Sequence, residues 1–136
     1  MLNFKKFTAV SQRSENRITV TGSNAFGFPT KFFKDNNVGD FKYLVLYYDD
    51  QEKAVGFLFT NDENEQHKFS IIKSKQGYGG SVIATSFFKS NDMVSKDYKN
   101  RYKWEIQEIE GIGKLFVIKL MNKQQESSAS ENVSLQ

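Results

Sequence analysis

Lys73 and Lys75 stand two positions apart, just ahead of Gly77-Tyr78-Gly79-Gly80. In a strand that spacing puts both amines on one face, beside a turn that a phosphate backbone can approach closely. A second stretch, Tyr98 to Trp104, interleaves Tyr98, Tyr102 and Trp104 with Lys99, Arg101 and Lys103. This composition lets bases stack while phosphates are neutralised. Each stretch also has a plainer reading. The first is then a solvated strand face with a flexible turn, and the second a strand edge with aromatics turned to the core and cations turned out. The glycine cluster is not a nucleotide-binding loop, because no Gly-Lys-Ser/Thr follows it and no long helix succeeds a strand there.

Other chemistries find little to work with. The chain has no cysteine and one histidine, His67, in a polar stretch. A disulfide framework, a thiolate zinc site and a cysteine nucleophile are excluded together, and a lone histidine cannot complete a zinc site. Asp49, Asp50, Glu52, Asp62, Glu63 and Glu65 cluster against Lys53 alone. Their spacing does not follow the calcium-loop pattern, so a pair of solvated turns is expected. No convergent polar set of the kind catalysis requires can be assembled. The expectation is a non-enzyme without cofactor or metal.

The elements that must position these residues follow from a repeat. Pro29 to Val38 aligns without a gap on Ala84 to Met93, with identity at Thr30/Thr85, Phe32/Phe87, Phe33/Phe88, Lys34/Lys89 and Asn36/Asn91. Around each copy the same order can be read: strand, turn, strand, short helix, two-stranded hairpin. That is one supersecondary unit used twice. In the first copy, Ile18 and Val20 alternate with Thr19 and Thr21, the period-2 signal of a half-buried strand. Gly22 to Asn24 turns it, Ala25 to Phe28 returns, and Pro29 opens a helix over about residues 30 to 36, anchored by Phe32 and Phe33. Asn36 and Asn37 can take the left-handed geometry that closes it. Runs from Phe41 to Tyr48 and Val55 to Thr60 form a hairpin, the first covered on both sides.

In the second copy, Phe69, Ile71 and Ile72 read as a strand, residues 77–80 as its turn, and Ser81 to Ala84 as the return. Thr85 or Ser86 is expected to cap the second helix. Trp104 to Glu110 and Lys114 to Leu120 then pair across Gly111-Ile112-Gly113. The whole is mainly β with two short helices. It is a single domain over residues 1–120, built from a duplicated strand-strand-helix-hairpin unit (unit one about 17–60, unit two about 68–120), with an OB-like barrel as the alternative. Residues 1–16 read as an arm or edge strand followed by a loop, and residues 121–136, nearly devoid of anything to bury, as a disordered tail. A chain of 136 residues with 38% hydrophobic content suits one core. No run is long enough for a signal peptide or a membrane span, so a cytoplasmic protein without a membrane partner is expected.

The order of elements resembles the AbrB/SpoVT swapped-hairpin family. Ile18-Thr19-Val20, Phe26-Gly27-Phe28-Pro29, the helix from Thr30 to Asn37, and Val38-Gly39-Asp40 ahead of Tyr43 to Tyr47 carry the resemblance. The second copy is looser, with Ala84 in place of the proline and Val94-Ser95 in place of Gly-Asp. Two copies in one chain correspond to the MraZ-like arrangement, in which one chain builds the barrel. The resemblance covers about residues 17 to 120. It implies DNA binding through basic residues on and near the first hairpin of each unit.

Gly22 to Phe28 contains no Lys or Arg, so the first hairpin relies on Arg17 before it and on Lys31 and Lys34 after it. The second is better supplied, with Lys68, Lys73, Lys75 and Lys89. The candidate nucleic-acid-binding set is Arg17, Lys31, Lys34, Lys73, Lys75, Lys89, Lys99, Arg101 and Lys103. The function expected is duplex-DNA binding of the transcriptional-regulator or antitoxin type. The alternatives are a protein-interaction module or inhibitor that has lost the DNA contacts, and a single-stranded nucleic-acid binder using residues 98 to 104.

Overall fold

The computed structural model describes residues 2–4, 16–75 and 79–122. The expected arm, the tip of the second hairpin and most of the tail therefore lie outside the described residues. Strand β1 (Ile18–Val20) turns back into β2 (Ala25–Phe28). The Thr21 hydroxyl oxygen accepts the amides of Ser23 (3.3 Å) and Ala25 (3.2 Å), and Asn24 takes the left-handed region at φ 64°. Such side-chain capture of nearby amides, with a residue that tolerates positive φ, is what makes a polar tetrapeptide turn.

Helix α1 (Thr30–Asp35) buries Phe32 and Phe33, and α2 (Thr85–Ser90) buries Phe87 and Phe88. Pro29 stands one residue before the helix in extended geometry, not inside the first turn. Thr85 and Ser86 do not cap α2. The residue ahead of it is Ala84, without a side-chain cap, its amide donating to the Asn24 carbonyl at 2.7 Å. At the other end the repeated asparagine explains itself. The side-chain amides of Asn36 and Asn91 donate to the carbonyls of Phe32 (3.1 Å) and Phe87 (2.8 Å), and the next residues, Asn37 and Asp92, have φ 55° and 54°. Each helix thus ends by a satisfied carbonyl followed by a left-handed residue. Single 3-10 turns follow, Val38–Asp40 and Ser95–Tyr98.

The remaining strands are β3 (Tyr43–Asp49), β4 (Ala54–Thr60), β5 (Phe69–Ser70), β6 (Ile72–Lys73), β7 (Gly80–Ile83), β8 (Asn100–Tyr102), β9 (Glu105–Ile109) and β10 (Gly113–Lys119). They form two antiparallel sheets. A short-strand sheet has the order β6-β7-β2-β1-β8, and a long-strand sheet the order β5-β3-β4-β10-β9. Each joins a hairpin from the first half of the chain to one from the second, through the pairs β2/β7 and β4/β10. The chain also passes directly between sheets at both sides. Only Ile71 separates β5 from β6, its amide donating to the Lys42 carbonyl at 3.0 Å, and only Lys103-Trp104 separates β8 from β9. The chain thereby joins the two sheets at both pairs of edge strands, β5 with β6 and β8 with β9. Mainly β with two short helices is therefore the fold, in two five-stranded sheets instead of the single five-stranded barrel of the OB-like alternative.

One core runs from Ile18 to Leu120. Phe26, fully buried at its centre, meets Phe57 edge-on at 5.0 Å, stacks on Phe88 at 5.3 Å and touches Phe87 at 5.9 Å. Phe32 brings Trp104 (5.2 Å) and Phe116 (5.1 Å) into the same cluster. Offset and edge-to-face rings add to the area they bury. In β3, Leu44 and Val45 are both buried although they point to opposite faces, so this strand is covered on both sides over that pair. Leu115 to Ile118 are likewise all buried. No helix among the described residues is long and apolar enough to cross a membrane.

Candidate nucleic-acid interface

Alternation divides the short-strand sheet cleanly. Ile18, Val20, Phe26, Phe28, Val82 and Tyr102 turn inward and are buried. Their neighbours form the outer face. Register places Ile72, Ser81, Gly27, Thr19 and Arg101 in one row across all five strands, with Ile83 beside Ala25 in the next. The middle of the face is made of small residues. Its β6/β7 side exposes Ile72 (51%) and Ile83 (58%).

The opposite side is cationic. Lys99, Arg101 and Lys103 are exposed and alternate along β8, recurring about every 6.6 Å as strand geometry requires. The pairing of Ile18 with Tyr102 brings Arg17 alongside Lys103. Tyr102 between them is buried, and Tyr98 and Trp104 pack against the core. The Tyr102 hydroxyl donates to the Tyr98 carbonyl, and the Trp104 indole N–H donates to the Asn16 carbonyl. Of the two readings of this stretch, the strand edge with inward aromatics is the one the structure displays.

Lys73 and Lys75 are less alike than their spacing suggests. Lys73 ends β6 and its amine donates to the Gly39 carbonyl at 2.6 Å, across the start of the Val38–Asp40 turn, whereas Lys75 lies beyond the strand and is exposed. Residues 76–78 lie outside the described residues, but the turn's return is fixed. A Cβ on Gly79, at φ 102°, would stand 2.5 Å from the Phe28 carbonyl oxygen. Lys31 pairs with Asp35 at 3.1 Å on the exposed side of α1. Lys34 and Lys89 occupy matching last-turn positions on α1 and α2, both exposed. Lys68 is drawn away from the face. Its amine donates to the Glu63 and Glu65 carbonyls, both at 3.0 Å, and lies 5.0 Å from the centre of the Tyr43 ring.

The tip of the first hairpin holds what the sequence did not disclose. The Asn24 amide donates to the Ser95 hydroxyl oxygen at 3.0 Å, docking the Ser95–Tyr98 turn on it. A Cβ on Gly22 would lie 3.7 Å from Cγ of Lys96 and 3.7 Å from Cδ of Lys99. The tip that carries no cation of its own is flanked by two from the second half of the chain. Lys96 had no local signal to mark it.

Carboxylates are segregated between the sheets. No strand of the short-strand sheet contains a carboxylate, and none occurs in residues 16–34, 66–91 or 98–104. The long-strand sheet and its connections hold Asp49, Asp50, Glu52, Asp62, Glu63, Glu65, Glu105, Glu108 and Glu110.

Comparison with protein-family models, with curated proteins and with solved structures gives no match for this chain.

The acidic residues act mainly in turns. Asp49 accepts the amides of Gln51 (3.0 Å) and Glu52 (3.2 Å), Asp62 accepts that of Asn64 (2.9 Å), and Glu63 accepts the Tyr43 hydroxyl at 2.6 Å. That last bond is the first cause of a Tyr43 pKa above the ordinary phenol value. No group of three or more His, Asp or Glu that could hold a metal occurs among the described residues. His67 sits exposed in a turn at φ 61°. The outer face of the long-strand sheet carries a groove of about 480 Å³ over Tyr47, Gly56, Leu115 and Val117, with Gln107, Glu52 and Lys119 among its polar lining. A Cβ on Gly56 would stand 2.9 Å from Leu115 Cδ1, so a side chain there would have to displace that methyl group.

Proposed function

We propose that this chain binds duplex DNA, as a transcriptional regulator or antitoxin would, and that the outer face of the short-strand sheet is its docking surface. One observation carries the reading: the five strands of that sheet, with the helical residues up to Lys34 and Lys89, hold cations and no carboxylate, while nine of the thirteen described carboxylates lie on the opposite sheet or its connections and the other four, Asp35, Asp40, Asp92 and Asp97, lie at or after the ends of the two helices. A polyanion approaching such a molecule is steered to one side of it. The small side chains of Thr19, Gly27 and Ser81 let a backbone come close, and Arg101 with Lys103 supplies phosphate contacts that position the duplex. The resemblance in element order to swapped-hairpin proteins points the same way.

The test is binding of a fluorescently labelled duplex, followed by anisotropy across a salt series. Each engaged cation contributes about one unit to the slope of log affinity against log salt. Arg101→Ala with Lys103→Ala is expected to lower that slope by about two units. Lys114→Ala, on the long-strand sheet, is expected to leave it unchanged. Absence of binding at low salt, or an unchanged slope in the double variant, overturns the assignment.

A second reading, a protein-interaction module, is favoured by Ile72 and Ile83. Large apolar side chains exposed together on a sheet face are the kind of patch that partners cover. Duplex binding that survives Ile72→Ser with Ile83→Ser separates the two.

A further inference from the structure

We propose that the tip of the first hairpin is a phosphate-contact site whose cations, Lys96 and Lys99, come from the other half of the chain. The inference rests on the duplex-binding reading and names the part of the surface that reading had left unarmed. Gly22 and Ser23 are exposed, so the tip presents no bulk to an approaching backbone. The Thr21 and Ser23 hydroxyls lie 3.2 Å apart, and one of them can donate outward. The stems of Lys96 and Lys99 lie against Gly22, so their amines are tethered at the tip. No ion pair engages either amine among the described residues. Asp97 is the one carboxylate of this turn, and two lysines against it leave the turn positive.

Placement extends the argument. Val20 pairs with Asn100, so Lys99 is the next residue alongside Thr21, in line with Arg101 beside Thr19 and Lys103 beside Arg17. The tip therefore terminates the same row of cations that runs along β8. The Asn24–Ser95 hydrogen bond fixes the turn to the tip. At the other hairpin, Lys73 and Lys75 are local to their strand and turn. The end of β6 is thus basic by its own sequence, and the tip of the first hairpin by tertiary docking.

The experiment compares Lys96→Ala with Lys99→Ala, Lys73→Ala with Lys75→Ala, and the parent chain on the same labelled duplex across a salt series. The Lys96/Lys99 variant is expected to bind more weakly and to lower the salt slope by about two units. Lys96→Arg with Lys99→Arg is expected to restore the slope. Because both side chains are exposed, circular dichroism and thermal melting should match the parent. If the parent binds and the Lys96/Lys99 variant keeps its full slope, this inference fails while the duplex reading stands. If the parent does not bind at low salt, the duplex reading fails and takes the inference with it.

Discussion

The Asn24 amide donates to the Ser95 hydroxyl across 71 positions of sequence, at 3.0 Å and in a partly buried site. It is the hydrogen bond that joins the first hairpin's tip to the turn after α2. Ser95 is 2% exposed, and with Tyr102 it is one of two hydroxyl-bearing residues buried among those described.

Ser95→Ala leaves that amide without its acceptor. Removing one partner of a buried hydrogen bond costs about 1–3 kcal/mol. Urea unfolding should show a loss in that range, together with faster hydrogen exchange at Asn24. Unchanged stability would mean that water replaces the hydroxyl at no cost.

Gly79→Ala and Gly111→Ala separate space from backbone strain. Both glycines have positive φ, 102° and 84°, but a Cβ at Gly79 meets the Phe28 carbonyl oxygen at 2.5 Å and the Thr30 amide nitrogen at 3.1 Å, whereas one at Gly111 meets nothing within 4 Å. Gly111→Ala should cost about 1–2 kcal/mol, the penalty of left-handed geometry. Gly79→Ala should cost clearly more, on the order of 3 kcal/mol. Equal losses in chemical denaturation would show that the start of β7 shifts to make room.

Phe26→Ala tests the centre of the core. The ring is fully buried among Phe57, Phe87 and Phe88, and truncations of this kind cost about 3–5 kcal/mol. Phe26→Leu, which retains most of the volume, should lose markedly less. A loss below about 1 kcal/mol for Phe26→Ala would contradict the packing described.

Tyr48 carries the pH prediction. Its ring stands edge-on to Phe87 at 5.6 Å, and its hydroxyl is sealed from solvent with no hydrogen-bond partner among the described residues. Desolvation is the largest cause raising its pKa, opposed by the nearby Lys53 ammonium, which does not reach the hydroxyl in bonding geometry. The folded state holds the proton more tightly than the unfolded state. The associated stability is therefore intact below the unfolded tyrosine pKa of about 10 and is lost as pH rises through the higher folded value. Tyr48→Phe should be at least as stable at neutral pH, since it removes an unsatisfied buried hydroxyl, and should lose less stability above about pH 10. Tyr43, also raised, keeps its own share of the alkaline loss. Urea melts at neutral and alkaline pH decide it. A neutral-pH loss above about 1 kcal/mol would mean that the hydroxyl has a partner.

What the sequence by itself determined was local. Ile18 and Val20 marked β1 because the side-chain period of a strand is two. Phe32-Phe33 and Phe87-Phe88 marked the short helices, and the aligned Asn36 and Asn91 marked their ends through a bond spanning four residues. The cap foreseen for Thr85 or Ser86 failed because the Ala84 carbonyl accepts the Phe88 amide and so puts both residues inside the helix, at a place where the Ala84 amide is bonded to the Asn24 carbonyl, a partner outside the local window. The direction of Tyr98, Tyr102 and Trp104 was left open for the same reason, since alternating aromatics and cations suit either a stacking platform or a core edge until the packed core covers one face. Only the tertiary structure decided that β8 pairs with β1 and turns Tyr102 to the core, that the chain switches sheets at Ile71 and at Lys103-Trp104, and that Lys96 and Lys99 reach Gly22. Strand pairing between distant segments is settled by which apolar faces bury each other, and that competition leaves no periodic trace near the residues it brings together.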